Sequence, residues 1–167
     1  IYSVKERNIN VIVLLLTNKI IYYKFKVPLF VGTFLILKNM IIKSVNGKAP
    51  VIPEDCFVAE NATIVGDVSF GPECSVWFNA VIRGDVNQIT VGNKVNIQDG
   101  AIIHCTYQKH ATKIGNNVSI GHNAIVHGCI IEDNVLIGMG AIVMDNCVVK
   151  SNSIIAAGAV VTQNTVV

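Results

Sequence analysis

Apolar residues recur at every sixth position over most of the chain. One register runs Ile52, Val58, Ile64, Phe70, Val76 and Ile82. A second is Val91, Ile97, Ile103, and a third is Ile114, Ile120, Val126. A fourth runs from Ile131 through Ile137, Val143, Val149 and Ile155 to Val161. All 18 positions are apolar. Within each unbroken run a small or β-branched residue stands two places earlier, as at Ala62, Cys74, Ala80, Val118, Ala124 and Cys147. A period of six matches neither the 3.6 of a helix nor the alternation of a simple hairpin array. It matches a triangular coil with one short strand per side, the aliphatic residue facing the axis and the small residue filling the crowded corner. The predicted fold is all-β: a left-handed parallel β-helix of about six coils, three hexapeptides to a coil. Gly92-Asn93, Gly115-Asn116 and Asp133-Asn134 read as corners, since these residues tolerate unusual φ/ψ.

The register breaks after Ile82, after Ile103 and after Val126. The first two gaps exceed six residues, so loops are expected to protrude there, and function tends to sit on such loops. If each break still turns one corner, every third axis position shares a face. Ile82, Ile103 and Val126 then lie on one face in successive coils. The residues after them, Arg83, His104 and His127, point outward in a column. Coils stack ~4.8 Å apart, so two imidazoles in that column can reach one metal ion. His122 follows Ile120 on the neighbouring face. It joins the other two only if a second subunit packs against the first, and three such contacts close a ring. The expectation is a homotrimer with three interfacial metals, His104 and His127 from one chain and His122 from its neighbour. Three His ligands leave an open position for water, the mark of a catalytic zinc. Zinc would lower the pKa of that water toward ~7 and supply hydroxide. His110, in the loop after Ile103, reads as a solvated surface residue.

Composition narrows the picture. The chain is 51% hydrophobic and 14% charged, enough for one sizeable core. Its net charge is +2 and no basic run appears, so a nucleic-acid partner is not implied. Five cysteines with no C-x-x-C argue against a disulfide framework and a cysteine-ligated zinc, and point to a reducing cytoplasm. Cys56, Cys74 and Cys147 fall on small interior positions and read as buried packing. Residues 1–39 are different: no Ala, Asp, His or Cys, and a single glycine, Gly32. Their apolar stretches, Val11–Leu16 and Val27–Leu37, are shorter than the ~20 residues of a bilayer span, so no membrane is implied. Lys5 and Arg7 precede an apolar run, but no small-residue cleavage site of a signal peptide follows. Rich in Ile, Lys, Asn, Tyr and Phe, the residues of AT-rich codons, residues 1–39 read as a translated upstream extension. Met40 is expected to be the natural start, and residues 40–167 the β-helix domain.

The stretch Trp77-Phe78-Asn79-Ala80-Val81-Ile82-Arg83-Gly84-Asp85 resembles the γ-class carbonic anhydrase family and its bacterial hexapeptide-repeat relatives. So do Asn96-Ile97-Gln98-Asp99-Gly100, Ile103-His104, and Ile120-Gly121-His122 through Val126-His127-Gly128. The resemblance covers roughly residues 41–167. It implies a trimeric β-helix hydrating CO2 reversibly to bicarbonate, with His104, His122 and His127 as ligands of zinc, or of iron or cobalt. It also implies Arg83 and Asp85 as the charged pair near the site and interface, Gln98 as the partner of metal-bound water, and Asp99 as its acidic neighbour. A structural interface salt bridge is an equal reading for Arg83–Asp85 and Asp99. Two departures predict weak activity. Val86 follows Asp85 where the archaeal prototype has a proton-shuttling glutamate, and Cys105–Lys113 holds no Glu or Asp. The chain also ends at Val167, where the family continues into a C-terminal helix. The competing functions are a hexapeptide acyltransferase, a metal-dependent thioesterase and a non-catalytic assembly protein.

Overall fold

The computed structural model describes residues 8–12, 22–26 and 41–167. The chain divides into two compact units, Ile1–Leu37 and Lys38–Val167. In the first, strands Asn8–Ile12 and Tyr22–Lys26 pair antiparallel. The reading of residues 1–39 as an extension therefore lies mostly outside the described residues.

The second unit is a parallel β-helix of about six turns. Its strands are two or three residues long at most sides, which is what a six-residue side leaves once a corner is turned. The register expected from the sequence is the one observed. On one face Ile64 pairs with Ile82, Ile82 with Ile103, Ile103 with Val126, and Val126 with Val143. A second face aligns Val76, Ile97, Ile120 and Ile137, and the third aligns Phe70, Val91, Ile114 and Ile131. All axis positions are buried except Ile52 and Val58 in the first coil, which are partly covered. Each buried Ile or Val removes enough apolar surface to contribute roughly 1.5–3 kcal/mol. The stack of these residues is the core.

Corners carry residues in the left-handed region. Asn117, Asn134 and Asn152 have φ of 53°, 58° and 61° and lie above one another. Their side-chain amides form a ladder, each Nδ2 donating to the next Oδ1 at 3.2 and 3.3 Å. Asn suits this role because it tolerates positive φ and its amide both donates and accepts. In two of the expected corners the left-handed residue falls one place later than Gly92-Asn93 and Gly115-Asn116, at Lys94 and Asn117. There Asn93 and Asn116 stay at negative φ, and the Asn116 side chain accepts the Asn93 backbone N–H at 2.9 Å.

All three register breaks fall on one edge of the prism, where the face bearing His104 and His127 turns into the next. The first is not a protruding loop. Val81–Val91 is one strand whose pairing to Thr63–Phe70 shifts register after Gly84, so Asp85, Val86, Asn87 and Gln88 bulge from it. The second break is a loop of residues 105–111 between strands Ile102–His104 and Thr112–Ile114. The third is a corner one residue short. Among the described residues no helix is long and apolar enough to cross a membrane.

Two tests follow from the packing. Gly66 has φ +78°, and a Cβ there would press into the Gly84 carbonyl of the next coil, whereas Gly47, at +76°, faces open space. Gly66→Ala should therefore lower stability by about 1–3 kcal/mol more than Gly47→Ala in denaturant melts. The five thiols are free, and only Cys56 is not fully buried. A colorimetric thiol reagent should label one cysteine in the native protein and the others only on unfolding. Burial pushes the Cys105 thiol to about 11 and the Cys129 thiol to about 12. The native state thus keeps protons that the unfolded chain releases. The contribution of these two thiols to stability is present below their ordinary 9.0 and should be lost as pH rises toward 12, and Cys129→Ala should flatten that decline.

Candidate metal centre

His104 and His127 end two neighbouring strands, Ile102–His104 and Ile125–His127, and are direct register partners. Each follows an axis residue, so its ring is turned outward at the margin of the face. The His104 ring is the more enclosed, with 17% of its side chain exposed against 32% for His127. Their centroids lie 5.0 Å apart.

Both rings are held by carboxylates from behind. His104 Nε2–H donates to Asp85 Oδ1 at 3.0 Å, and His127 Nδ1–H donates to Asp145 Oδ1 at 2.9 Å. Burial works to raise both carboxyls. At Asp85 the hydrogen bonds from His104 and Arg83 outweigh it, and at Asp145 those from Thr106, His127 and Gln163 do. Both carboxyls are held below their ordinary value and act as acceptors. Burial also lowers the His104 pKa, only partly opposed by Asp85, which favours the neutral ring.

The remaining nitrogens, His104 Nδ1 and His127 Nε2, face each other at 3.0 Å. With both rings donating backward, each presents a lone pair to the other. Such a contact is repulsive unless a cation lies at it. Two imidazole nitrogens bound to one tetrahedral zinc at ~2.0–2.1 Å stand roughly 3.3 Å apart. The pair thus fits a divalent ion with an opening of a few tenths of an ångström. Carboxylate-held imidazoles are also the usual arrangement behind a metal.

His122 stands elsewhere. It occupies the corner that precedes strand Ile125–His127, at the opposite margin of the same face. Its Nδ1 contacts Asp99 Oδ2 at 3.0 Å. Trp77, Asn96, Gln98, Asp99 and His122 line a shallow hollow of about 270 Å³. The seven residues singled out by sequence therefore form two groups: Arg83, Asp85, His104 and His127 at one margin, and Gln98, Asp99 and His122 at the other. Among the described residues no set of three or more His, Cys, Asp or Glu converges within one chain on a metal position.

Arg83 continues the histidine column, but its guanidinium turns aside to Asp85 Oδ2 at 2.6 Å. Asp145 was not singled out by sequence. It lies 18 residues after His127, but the coil there takes 17, since Val126 pairs with Val143, so the column's next residue is Met144 and Asp145 stands one place beyond it. His110 is half-buried rather than fully solvated and lines a small polar hollow with Thr106 and Asp145.

Residues 128–163 match the bacterial transferase hexapeptide (six repeats) family model. The chain is 48% identical over 99 residues to the carbonic anhydrase of Geobacillus kaustophilus, covering 59% of this chain and 54% of that protein. It is 44% identical over 113 residues to gamma carbonic anhydrase 1, mitochondrial, of Arabidopsis thaliana, covering 65% and 41%. The chain thus spans about half or less of the length of these two relatives. A solved hexapeptide transferase family protein from Anaplasma phagocytophilum superposes with a TM-score of 0.72 at 40% identity, over 75% of this chain and 74% of that one. With its six-residue register, its stacked corners and these likenesses, the chain belongs to the hexapeptide-repeat family and is similar within it to proteins named carbonic anhydrase or gamma carbonic anhydrase.

Proposed function

We propose that this protein is a metal-dependent carbonic anhydrase, hydrating CO2 to bicarbonate at sites shared between subunits of a homotrimer in a reducing cytoplasm. The carrying observation is the pair of carboxylate-held imidazoles whose free nitrogens face each other at 3.0 Å. His122 of a neighbouring subunit completes the ligand set. A bound zinc, iron or cobalt ion would supply a water of lowered pKa as the nucleophile.

The trimer has its own physical support. The outward column of the histidine-bearing face is Thr63, Val81, Ile102, Ile125, Ile142 and Val160, in six successive coils. That column is aliphatic from Val81 onward, whereas the other two are interrupted by polar residues, one by Ser75, Asn96 and Ser119, the other by Ser69, Thr90 and Lys113. Ile102 and Val160 are 43% and 56% exposed in the single chain. Three such faces turned toward a common axis would cover that column. They would also bring the His104–His127 margin of each chain to the His122 margin of the next.

In this arrangement Asp85 and Asp145 fix the ring orientations, and Arg83 neutralises Asp85. Gln98, beside His122 in the hollow, can orient the attacking water through its amide without competing as a ligand. Its neighbour Asp99 holds the His122 ring. No carboxylate in residues 105–113 can carry the product proton away, so proton exit relies on buffer.

The decisive experiment is metal analysis joined to stopped-flow CO2 hydration. Metal near one ion per chain and a metal-dependent rate that climbs with imidazole buffer concentration are expected. A protein without metal, or loaded protein with no hydration at any buffer concentration, would sink the reading. The shared site predicts more. His104→Ala and His122→Ala should each lose metal, and co-refolded mixtures of the two should regain about one site in three within a mixed trimer. Metal-independent acetyl transfer from acyl-CoA would instead select the transferase reading that the Anaplasma relative's name favours, and thioester hydrolysis by loaded protein the thioesterase.

A further inference from the structure

Thr112 is the one buried polar side chain among the described residues, with no exposed surface. It occupies an interior position two before Ile114, in a column otherwise filled by Val68, Ile89, Cys129 and Cys147. A hydroxyl there is costly unless it is paired. It is paired twice. Thr112 Oγ1–H donates to the His104 carbonyl, and Oγ1 accepts the Gly128 N–H at 2.9 Å. The two backbone groups it joins belong to His104 and to the residue after His127.

The loop of residues 105–111 makes a second attachment to the same pair. Thr106 Oγ1–H donates to Asp145 Oδ1, the oxygen that also accepts His127 Nδ1–H at 2.9 Å. Thr106 is itself fixed: its N–H donates to the His110 carbonyl at 2.9 Å, and its carbonyl accepts Asn87 Nδ2 at 3.2 Å. The loop packs to the backbone of the next corner. Gly128 has φ +52°, and a Cβ there would lie 3.1 Å from His110 Cβ and 3.2 Å from Thr106 Oγ1.

We propose that this loop, with the first residue of the strand that follows it, is a tether setting the approach of the His104 and His127 rings, Thr106 and Thr112 being the positioning residues. Thr112 fixes the spacing of the two strand ends. Thr106 fixes Asp145, and through it the tautomer and tilt of His127. The proposal rests on the metal-centre reading for what the rings bind, but not for how they are held.

The test compares full-length wild type with Thr106→Val, Thr112→Val and Thr112→Ser. Cobalt(II) titration reports affinity and the d–d absorption band. Nitrogen-edited spectra of histidine-labelled, metal-free protein report the ring tautomers, and melting of that protein reports stability. Thr106→Val should weaken cobalt binding about 10- to 100-fold, alter the band and reduce the Nδ1–H form of His127, with little change in melting. Thr112→Val should weaken binding as well, and Thr112→Ser should restore it. Wild-type affinity, band and tautomers in both valine variants would overturn the proposal. If Thr112→Val does not fold, Thr106→Val decides alone. If wild type binds no cobalt, the metal reading fails, and the tautomers decide the tether: unchanged tautomers overturn it, a lost Nδ1–H form sustains it.

Discussion

The fixed rise between coils is the constraint on which the rest of this structure depends. Every turn hydrogen-bonds to the turns above and below it, so residues at the same place on a face stack about 4.8 Å apart whatever the chain does between them. His104 and His127 are 23 residues apart, Asp85 and His104 are 19 apart, and His127 and Asp145 are 18 apart. Despite these unequal separations the strands stay in register: His104 pairs with His127, and Asp85 and Asp145, just past the column at either end, each reach across one coil to a ring. The differences are absorbed at a single edge, where the chain bulges, loops out or takes a short corner. Lengthening a corner adds little loop-closure entropy, while lengthening a strand would break the ladder. Sequence novelty therefore collects at that edge, and the paired imidazoles sit beside it.

The core and this edge obey different rules. At the axis each Ile or Val is interchangeable in kind, because only its volume and apolarity matter. At the edge the groups are polar and each has a named partner. Arg83 balances Asp85, and Thr106 and Gln163 balance Asp145. Carboxylates in such surroundings remain ionised acceptors, so the protons of both rings are drawn backward and the forward nitrogens are left as donors of lone pairs.

Most of the fold was legible because a six-residue period leaves no other assignment for Ile64, Ile82, Ile103 and Val126. The pairing of His104 with His127 followed from counting faces. What escaped was carried by side-chain direction rather than register. Asp145 follows Met144, not an axis residue, and reaches back across a coil to His127. Thr112 was hidden because it stands two before Ile114, where the register restarts after a break. Its hydroxyl looks like a poor fit to an apolar column until the carbonyl and N–H beside it are known. The bulge at Asp85–Gln88 was expected as a loop because Val91 comes nine positions after Ile82, not six. In the structure the strand simply continues through a register shift.

On the proposed reading, the division of the site follows from the geometry of a prism. A face only a few residues wide has two margins, and a column of outward side chains can occupy either. His104 and His127 take one margin and His122 the other, with Val81, Ile102, Ile125 and Ile142 between them. No rotamer carries an imidazole across that width, so a single chain cannot close the ligand set. The same aliphatic residues that keep the margins apart within one chain supply the apolar surface that would bring margins of different chains together. Oligomerisation and site completion would then be one event, and residues that strengthen the interface would strengthen metal binding without touching the metal.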